Sequence, residues 1–270
     1  MGLLLFFVHL ISIDTTIMKK ILIIIFACFS FNLISQNISY NIIEIPNSTL
    51  LDNTTKVALY DGQVAFYDGT SDGSVKLWNG STTTIIDSEV WGYGNISIYN
   101  GNIAYQKSAG ANQGIRVYYW NGSSSTNISG NKFAGWHSLY DGTVLLSGSI
   151  DGNHELYLWE NNNTTQITDN NNTCSPIPTI NGNQYAWVEC GVLQFFNGDT
   201  TVFINTESVA PEGSVNRGYV NPIISTFNGQ IAFSASDGHD KEIFFWNGDS
   251  IIQITDNDSI DDSPSLYDGG

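Results

Sequence analysis

The feature that most constrains this chain is a turn signal that recurs about every 40 residues. Asn-Gly and Asp-Gly dipeptides tolerate the positive φ angles that tight hairpin turns require. A repeat of this length indicates a supersecondary unit that must stack on copies of itself, as in propellers and solenoids. The dipeptides are Asp61-Gly62, Asn100-Gly101, Asp141-Gly142, Asn181-Gly182, Asn228-Gly229 and Asp268-Gly269, with glycines 39, 41, 40, 47 and 40 residues apart.

Each repeat has room for four short strands and shows no stretch with helical periodicity. In the fifth repeat we expect strands at 223–227, 230–234, 242–246 and 250–255. The second and third strands are apolar on both faces, as expected for a sheet packed between two other sheets. The sequence therefore predicts an all-β propeller of four-stranded antiparallel blades, with a solenoid as the weaker alternative.

Residues 1–35 do not match the repeat and are predicted to be an N-terminal extension with a signal peptide. Lys19 and Lys20 precede an almost wholly apolar segment, and we expect cleavage near Ser35. An uncleaved anchor is the alternative, and the start codon is either Met1 or Met18. We expect a secreted, cell-surface or periplasmic protein without a membrane span in its mature chain.

The remainder, residues 36–270, is predicted to form one propeller domain. Five complete blades and the start of a sixth fit the sequence, and we expect the chain to be cut short at its C-terminus. The predicted repeats are 58–96, 97–137, 138–177, 178–224 and 225–264, followed by the partial repeat 265–270.

The charge of the chain argues against a nucleic-acid partner. Nine Lys and Arg residues face 26 Asp and Glu residues, for a formal net charge of -17. A surface that binds phosphates would have to be built from almost no cations.

Export would permit a disulfide, and Cys174 and Cys190 are the candidate pair because a hairpin at Asn181-Gly182 brings them near each other.

Two repeats carry a string that resembles the repeat of TolB-like (WD-repeat-like) propellers. In this family an Asp-Gly turn precedes an Ile-Ala-Phe strand and a Glu-Ile-Tyr strand. The resemblance implies a propeller that commonly serves as a protein-binding scaffold or as a domain attached to an enzyme, and it implies no catalytic residues. The strings are Gln166-Ile167-Thr168-Asp169-Asn170 with Ser175-Pro176, and Gln253-Ile254-Thr255-Asp256-Asn257 with Ser263-Pro264; the fifth repeat adds Ile231-Ala232-Phe233 and Glu242-Ile243-Phe244.

Binding residues of propellers usually lie at one mouth of the channel, on loops held by a rigid frame. We expect this mouth to be formed by the loops between second and third strands and by the links between blades. The longest link, 205–222, is either a functional insertion or a tolerated surface elaboration. The candidate binding residues are Asp151, His154, Glu207, Glu212, Arg217, Asp237 and His239.

One further link is crowded with acidic residues, namely Asp256, Asp258, Asp261 and Asp262. A solvated acidic link is the favoured interpretation, and a calcium site is the alternative. We otherwise expect no cofactor. The leading functional hypothesis is an exported, non-enzymatic propeller that binds protein or glycan. The rival hypothesis is the propeller domain of a secreted peptidase or glycosidase whose catalytic part is missing or lies in the channel.

Overall fold

The computed structural model describes residues 5–6, 45, 57–68, 73–88, 90, 94–110, 114–150, 152–209 and 220–267. Strand β1 is Leu5–Phe6. Blade 1 comprises β2 (Val57–Tyr60), β3 (Gln63–Asp68), β4 (Ser74–Trp78) and β5 (Thr83–Ser88), and blade 2 comprises β6 (Ile96–Tyr99), β7 (Asn102–Ser108), β8 (Ile115–Trp120) and β9 (Ser125–Asn127). Blade 3 comprises β10 (Phe133–Tyr140), β11 (Thr143–Ile150), β12 (Asn153–Glu160) and β13 (Asn163–Gln166). Blade 4 comprises β14 (Ile177–Asn181), β15 (Gln184–Glu189), β16 (Val192–Phe196) and β17 (Thr201–Ile204), blade 5 comprises β18 (Val220–Phe227), β19 (Gln230–Ser236), β20 (Lys241–Trp246) and β21 (Ile251–Gln253), and β22 is Ser265–Leu266.

Each blade is an antiparallel sheet whose four strands pair in the order of the chain. A 3-10 helix, Thr206–Val209, follows blade 4. In the described part of the chain, no helix has the length and apolar character needed to cross a bilayer. The predicted all-β propeller with five complete four-stranded blades is confirmed.

The first and second strands of four blades are joined by the predicted two-residue turns. Asp61, Asn100, Asp141 and Asn228 all have positive φ angles, as do the glycines that follow them. This backbone is strained for most side chains, and Asn, Asp and Gly tolerate it best. The prediction for blade 4 is wrong by one residue. Asn181 pairs with Gln184, so the two central residues of that turn are Gly182 and Asn183.

Alternate residues of a strand pack against the two neighbouring blades. In β15, Tyr185 and Trp187 join a cluster with Leu145 and Leu156 of blade 3. The intervening Ala186 and Val188 pack with the apolar residues of blade 5. A period of two thus sends one strand's side chains into two separate cores. The same arrangement fills the spaces between blades 1 and 2 and between blades 2 and 3.

The first strands of successive blades are neighbours of one another, so the sheets are arranged around an axis. After blade 5, β22 packs against β18 and begins a sixth unit, as predicted. The backbone N–H of Leu266 donates to Ser225 Oγ at 3.0 Å, and β22 also pairs with β1. At the other end of the array, Ile45 is buried against Val64, Phe66 and Trp78 of blade 1.

Candidate functional site

The antiparallel topology gives every blade two ends of different character. The links between blades and the loops between second and third strands lie at one end, which we call the link face. The tight turns between first and second strands and between third and fourth strands lie at the other, which we call the turn face. Those predicted binding residues that the structure describes belong to the link face.

The described binding candidates lie in blade 3, in the 3-10 helix after blade 4, and in one loop of blade 5. His154 in blade 3 is half-buried, and its backbone N–H donates to the Asn172 carbonyl at 3.2 Å. His239 in blade 5 is exposed, and its N–H donates to Asp237 Oδ1 at 2.8 Å. Glu207 lies in the 3-10 helix after blade 4. Asp151, Glu212 and Arg217 lie outside the described residues.

The Gln-Ile-Thr-Asp-Asn strings have a structural role in the link face. In blade 5 the buried Glu242 carboxylate accepts hydrogen bonds from Thr255 Oγ1 and, at 2.9 Å, from the backbone N–H of Asn257. Thr255 Oγ1 in turn accepts the N–H of Ile243 at 2.9 Å. Blade 3 repeats this network with Glu155, Thr168, Asn170 and Leu156. The string therefore fastens each outer strand and link to the third strand of its own blade.

Two of the four aspartates in the acidic link, which were the alternative calcium site, have protein partners. Asp262 accepts hydrogen bonds from Ser234 Oγ at 2.6 Å and from Lys241 Nζ at 2.8 Å. Burial alone would raise the pKa of Asp262, but the hydrogen bonds from Lys241, Ser234 and Ser263 outweigh it and hold that pKa below its ordinary value. Asp261 Oδ2 accepts from Asn257 Nδ2 at 2.6 Å. Asp256 and Asp258 are exposed.

Among the described residues, one group of three acidic side chains has oxygens that all lie within 4.8 Å of one another. It consists of Asp237, Asp240 and Glu242, and none of the four aspartates of the calcium alternative belongs to it. Glu242 belongs to the structural network above, and Asp237 Oδ1 accepts backbone N–H groups of its own loop. Asp240 differs from these two residues, because its Oδ1 is buried and has no hydrogen-bond partner among the described residues.

Cys174 and Cys190 form a disulfide, with Cα atoms 5.4 Å apart. Cys190 lies in the tight turn between β15 and β16 and has a φ of 50°. Cys174 lies in the link that precedes β14. The bond therefore ties the entrance of blade 4 to one of its own hairpins on the link face.

The turn face carries a row of aromatic side chains that sequence reasoning did not find. Tyr60, Tyr99 and Tyr140 end the first strands of blades 1, 2 and 3. Their ring centroids are 4.4 Å apart between Tyr60 and Tyr99 and 4.5 Å apart between Tyr99 and Tyr140. Interaction with the Tyr60 hydroxyl, and then with that of Tyr140, raises the pKa of Tyr99, so this phenol stays neutral.

The row ends at a cavity of about 450 Å³ between blades 3 and 4. Leu158 and Ile180 form apolar parts of its lining, and the stacked rings of Tyr185 and Phe196, 4.7 Å apart, form another. Burial raises the pKa of Tyr185, which therefore remains a neutral hydroxyl. The polar and charged lining residues include Tyr140, Asp141, Thr143, Glu160 and Asn183. This turn-face pocket has the size and mixed lining of a binding site.

No protein-family model and no curated protein sequence matches the chain. Solved structures do match its fold. The β-propeller domain of the trilobed protease from Pyrococcus furiosus is 12% identical with a TM-score of 0.58, over 82% of this chain and 72% of that one. An acylaminoacyl peptidase from Pyrococcus horikoshii is 11% identical with a TM-score of 0.53, over 82% of this chain. A structure of prolyl endopeptidases is 9% identical with a TM-score of 0.53, again over 82% of this chain.

These similarities support a propeller and show the fold alone. The chain spans 40% of the length of the acylaminoacyl peptidase and 38% of the prolyl endopeptidase. The resemblance to TolB-like propellers in particular stays a prediction, because it depends on the repeated strings and on no matching family model.

Proposed function

We propose that this chain is an exported binding module that presents the turn face of a rigid propeller to a protein or glycan. The observation that carries the proposal is the turn-face pocket, where aromatic rings, carboxylates and an amide line one cavity. Such pockets combine apolar contact area with a few polar groups that fix the orientation of the bound group.

Rigidity and export both fit this role. The pocket lies between two blades whose strands share a buried core that includes Leu145 and Trp187. Its walls are therefore preorganised in the free protein. Less conformational entropy is then lost on binding. The Cys174–Cys190 disulfide is of a kind that persists in oxidising compartments, which supports the predicted signal peptide.

The proposal is tested by screening the immobilised protein against a random peptide display library and a glycan array. We expect binders that are lost in Thr143→Trp, which would fill the pocket, and retained in Gln63→Trp, the corresponding position of blade 1. Thermal melting establishes that both variants fold. If the folded protein captures no peptide or glycan, or if Thr143→Trp binds them as well as the parent does, the proposal is wrong.

A second proposal is that the chain is the propeller domain of a secreted hydrolase. Its support is the similarity in fold to propellers of peptidases. The test is an assay of peptide and glycoside hydrolysis by the protein expressed from its complete gene. Turnover by the complete product would support this proposal, and an inactive product without a hydrolase domain would contradict it.

A further inference from the structure

The turn-face pocket lies where two blades depart from the repeat. In blades 1, 2, 4 and 5, the residue after the third strand is an asparagine whose Oδ1 accepts backbone N–H groups two and three residues later. This arrangement builds a four-residue turn. The four residues are Asn79, Asn121, Asn197 and Asn247.

Blade 3 has Glu160 at this position and a different turn. Glu160 pairs with Asn163, and the two central residues, Asn161 and Asn162, both have positive φ angles. The Glu160 side chain therefore does not build the turn as the asparagines of the other blades do, and it is exposed at the pocket. On the opposite wall, the shifted turn of blade 4 places Asn183 in the lining.

The lining has an electrostatic and an apolar part. Asp141 and Glu160 are exposed carboxylates, and no Lys or Arg is among the described residues of the lining. Beside them lie the rings of Tyr140, Tyr185 and Phe196. Tyr185 is 6% exposed, and no described residue hydrogen-bonds its hydroxyl. This hydroxyl at the cavity wall can therefore donate to, or accept from, a ligand in the pocket.

We propose that this pocket binds an arginine or lysine side chain of a protein partner. The inference rests on the proposed binding function and names the partner's chemistry. The methylene stem of either side chain suits an apolar wall, and its cationic head suits aromatic faces. The cationic head neutralises the negative charge of Asp141 and Glu160. Its N–H groups donate hydrogen bonds to these carboxylates and to Tyr185 Oη. The overall charge of -17 favours the approach of a basic partner to the protein.

The experiment measures binding of Nα-acetyl-L-arginine N-methylamide and its lysine counterpart by NMR titration of the folded protein. The norleucine analogue serves as the uncharged control, and methyl β-D-glucopyranoside as the sugar control. We expect saturable shifts at Tyr140 and Tyr185 with both cationic probes and at least tenfold weaker binding of norleucine. The affinity should fall several-fold between 20 mM and 500 mM NaCl, because salt screens exposed charges.

Variants separate the pocket from general acidity. The double variant Asp141→Asn with Glu160→Gln should weaken the arginine probe at least tenfold, whereas Asp61→Asn with Asp249→Asn removes two charges from other blades and should leave binding unchanged. Tyr185→Phe should weaken binding several-fold at an unchanged melting temperature. Equal binding of arginine and norleucine, equal loss in both double variants, or saturation by the glucoside alone would overturn the inference. The proposed binding function itself would still hold if displayed peptides or glycans bound the parent protein and did not bind Thr143→Trp.

Discussion

Acidification should destabilise the fold through one buried histidine. His137 lies in β10, is 2% exposed, and has its Nε2 2.9 Å from the Ala104 carbonyl. Nε2 must therefore carry a proton and donate. Burial lowers the pKa of His137 to about 4, despite the favourable contact with the Ala104 carbonyl. The folded protein thus holds this ring neutral at a pH where an exposed histidine is charged.

The magnitude follows from the difference between the two states. An unfolded histidine has a pKa of about 6.5, and one pKa unit corresponds to about 1.4 kcal/mol. The difference of about 2.5 units gives roughly 3 kcal/mol. Because the folded pKa is the lower one, the unfolded chain binds the proton first. The full contribution is present above about pH 6.5 and is lost as the pH falls towards 4.

Urea unfolding between pH 7.5 and pH 4 tests this linkage. His137→Gln keeps an N–H donor for the Ala104 carbonyl but cannot titrate. The parent should lose about 3 kcal/mol more than this variant over that range, whereas His239→Gln, at an exposed site, should follow the parent. Parallel curves for the parent and His137→Gln would refute the argument.

Three further predictions concern stability at neutral pH. Replacing both Cys174 and Cys190 by serine should lower the free energy of unfolding by about 3 kcal/mol in urea melts, since the closed loop is short; an unchanged midpoint would contradict the disulfide. Glu242→Gln should cost about 2 kcal/mol in the same melts, because an amide cannot accept both hydrogen bonds of the buried carboxylate; a neutral effect would argue against the network with Thr255. Phe233→Ala should cost about 3–5 kcal/mol by calorimetry, whereas a loss below 1 kcal/mol would place that side chain outside the core between blades 4 and 5.

The sequence was sufficient to predict the blades because their signals are local. A positive φ at Asp61 or Asn228 requires a small set of residues, and the spacing of such turns fixes the length of each unit. The one wrong turn, at Asn181-Gly182, shows the limit of this signal. The dipeptide was present, but strand pairing placed the turn one residue later, at Gly182 and Asn183.

The pocket could not be predicted because it depends on how two blades meet. Asp141, Glu160 and Tyr185 are far apart in the chain, and their neighbourhood arises from stacking blade 4 on blade 3. One signal was nevertheless present. Glu160 occupies the position at which the other repeats have asparagine. Such a departure from the repeat indicates that this side chain does not accept the turn-building hydrogen bonds that the asparagines accept. The sequence could not show how the acidic link is paired, because Lys241, the cationic neighbour of Asp262, is 21 residues away in the chain.

The central claim is that successive blades lie side by side around an axis, with their first strands as neighbours. Light-driven oxidative cross-linking of the monomer, followed by peptide mass spectrometry, tests it directly. Because Tyr60, Tyr99 and Tyr140 stack in turn across three blades, we predict dityrosine links from Tyr99 to each of the other two, both abolished in Tyr99→Phe. Links confined to tyrosines of one blade, such as Tyr105 with Tyr118, would contradict the arrangement.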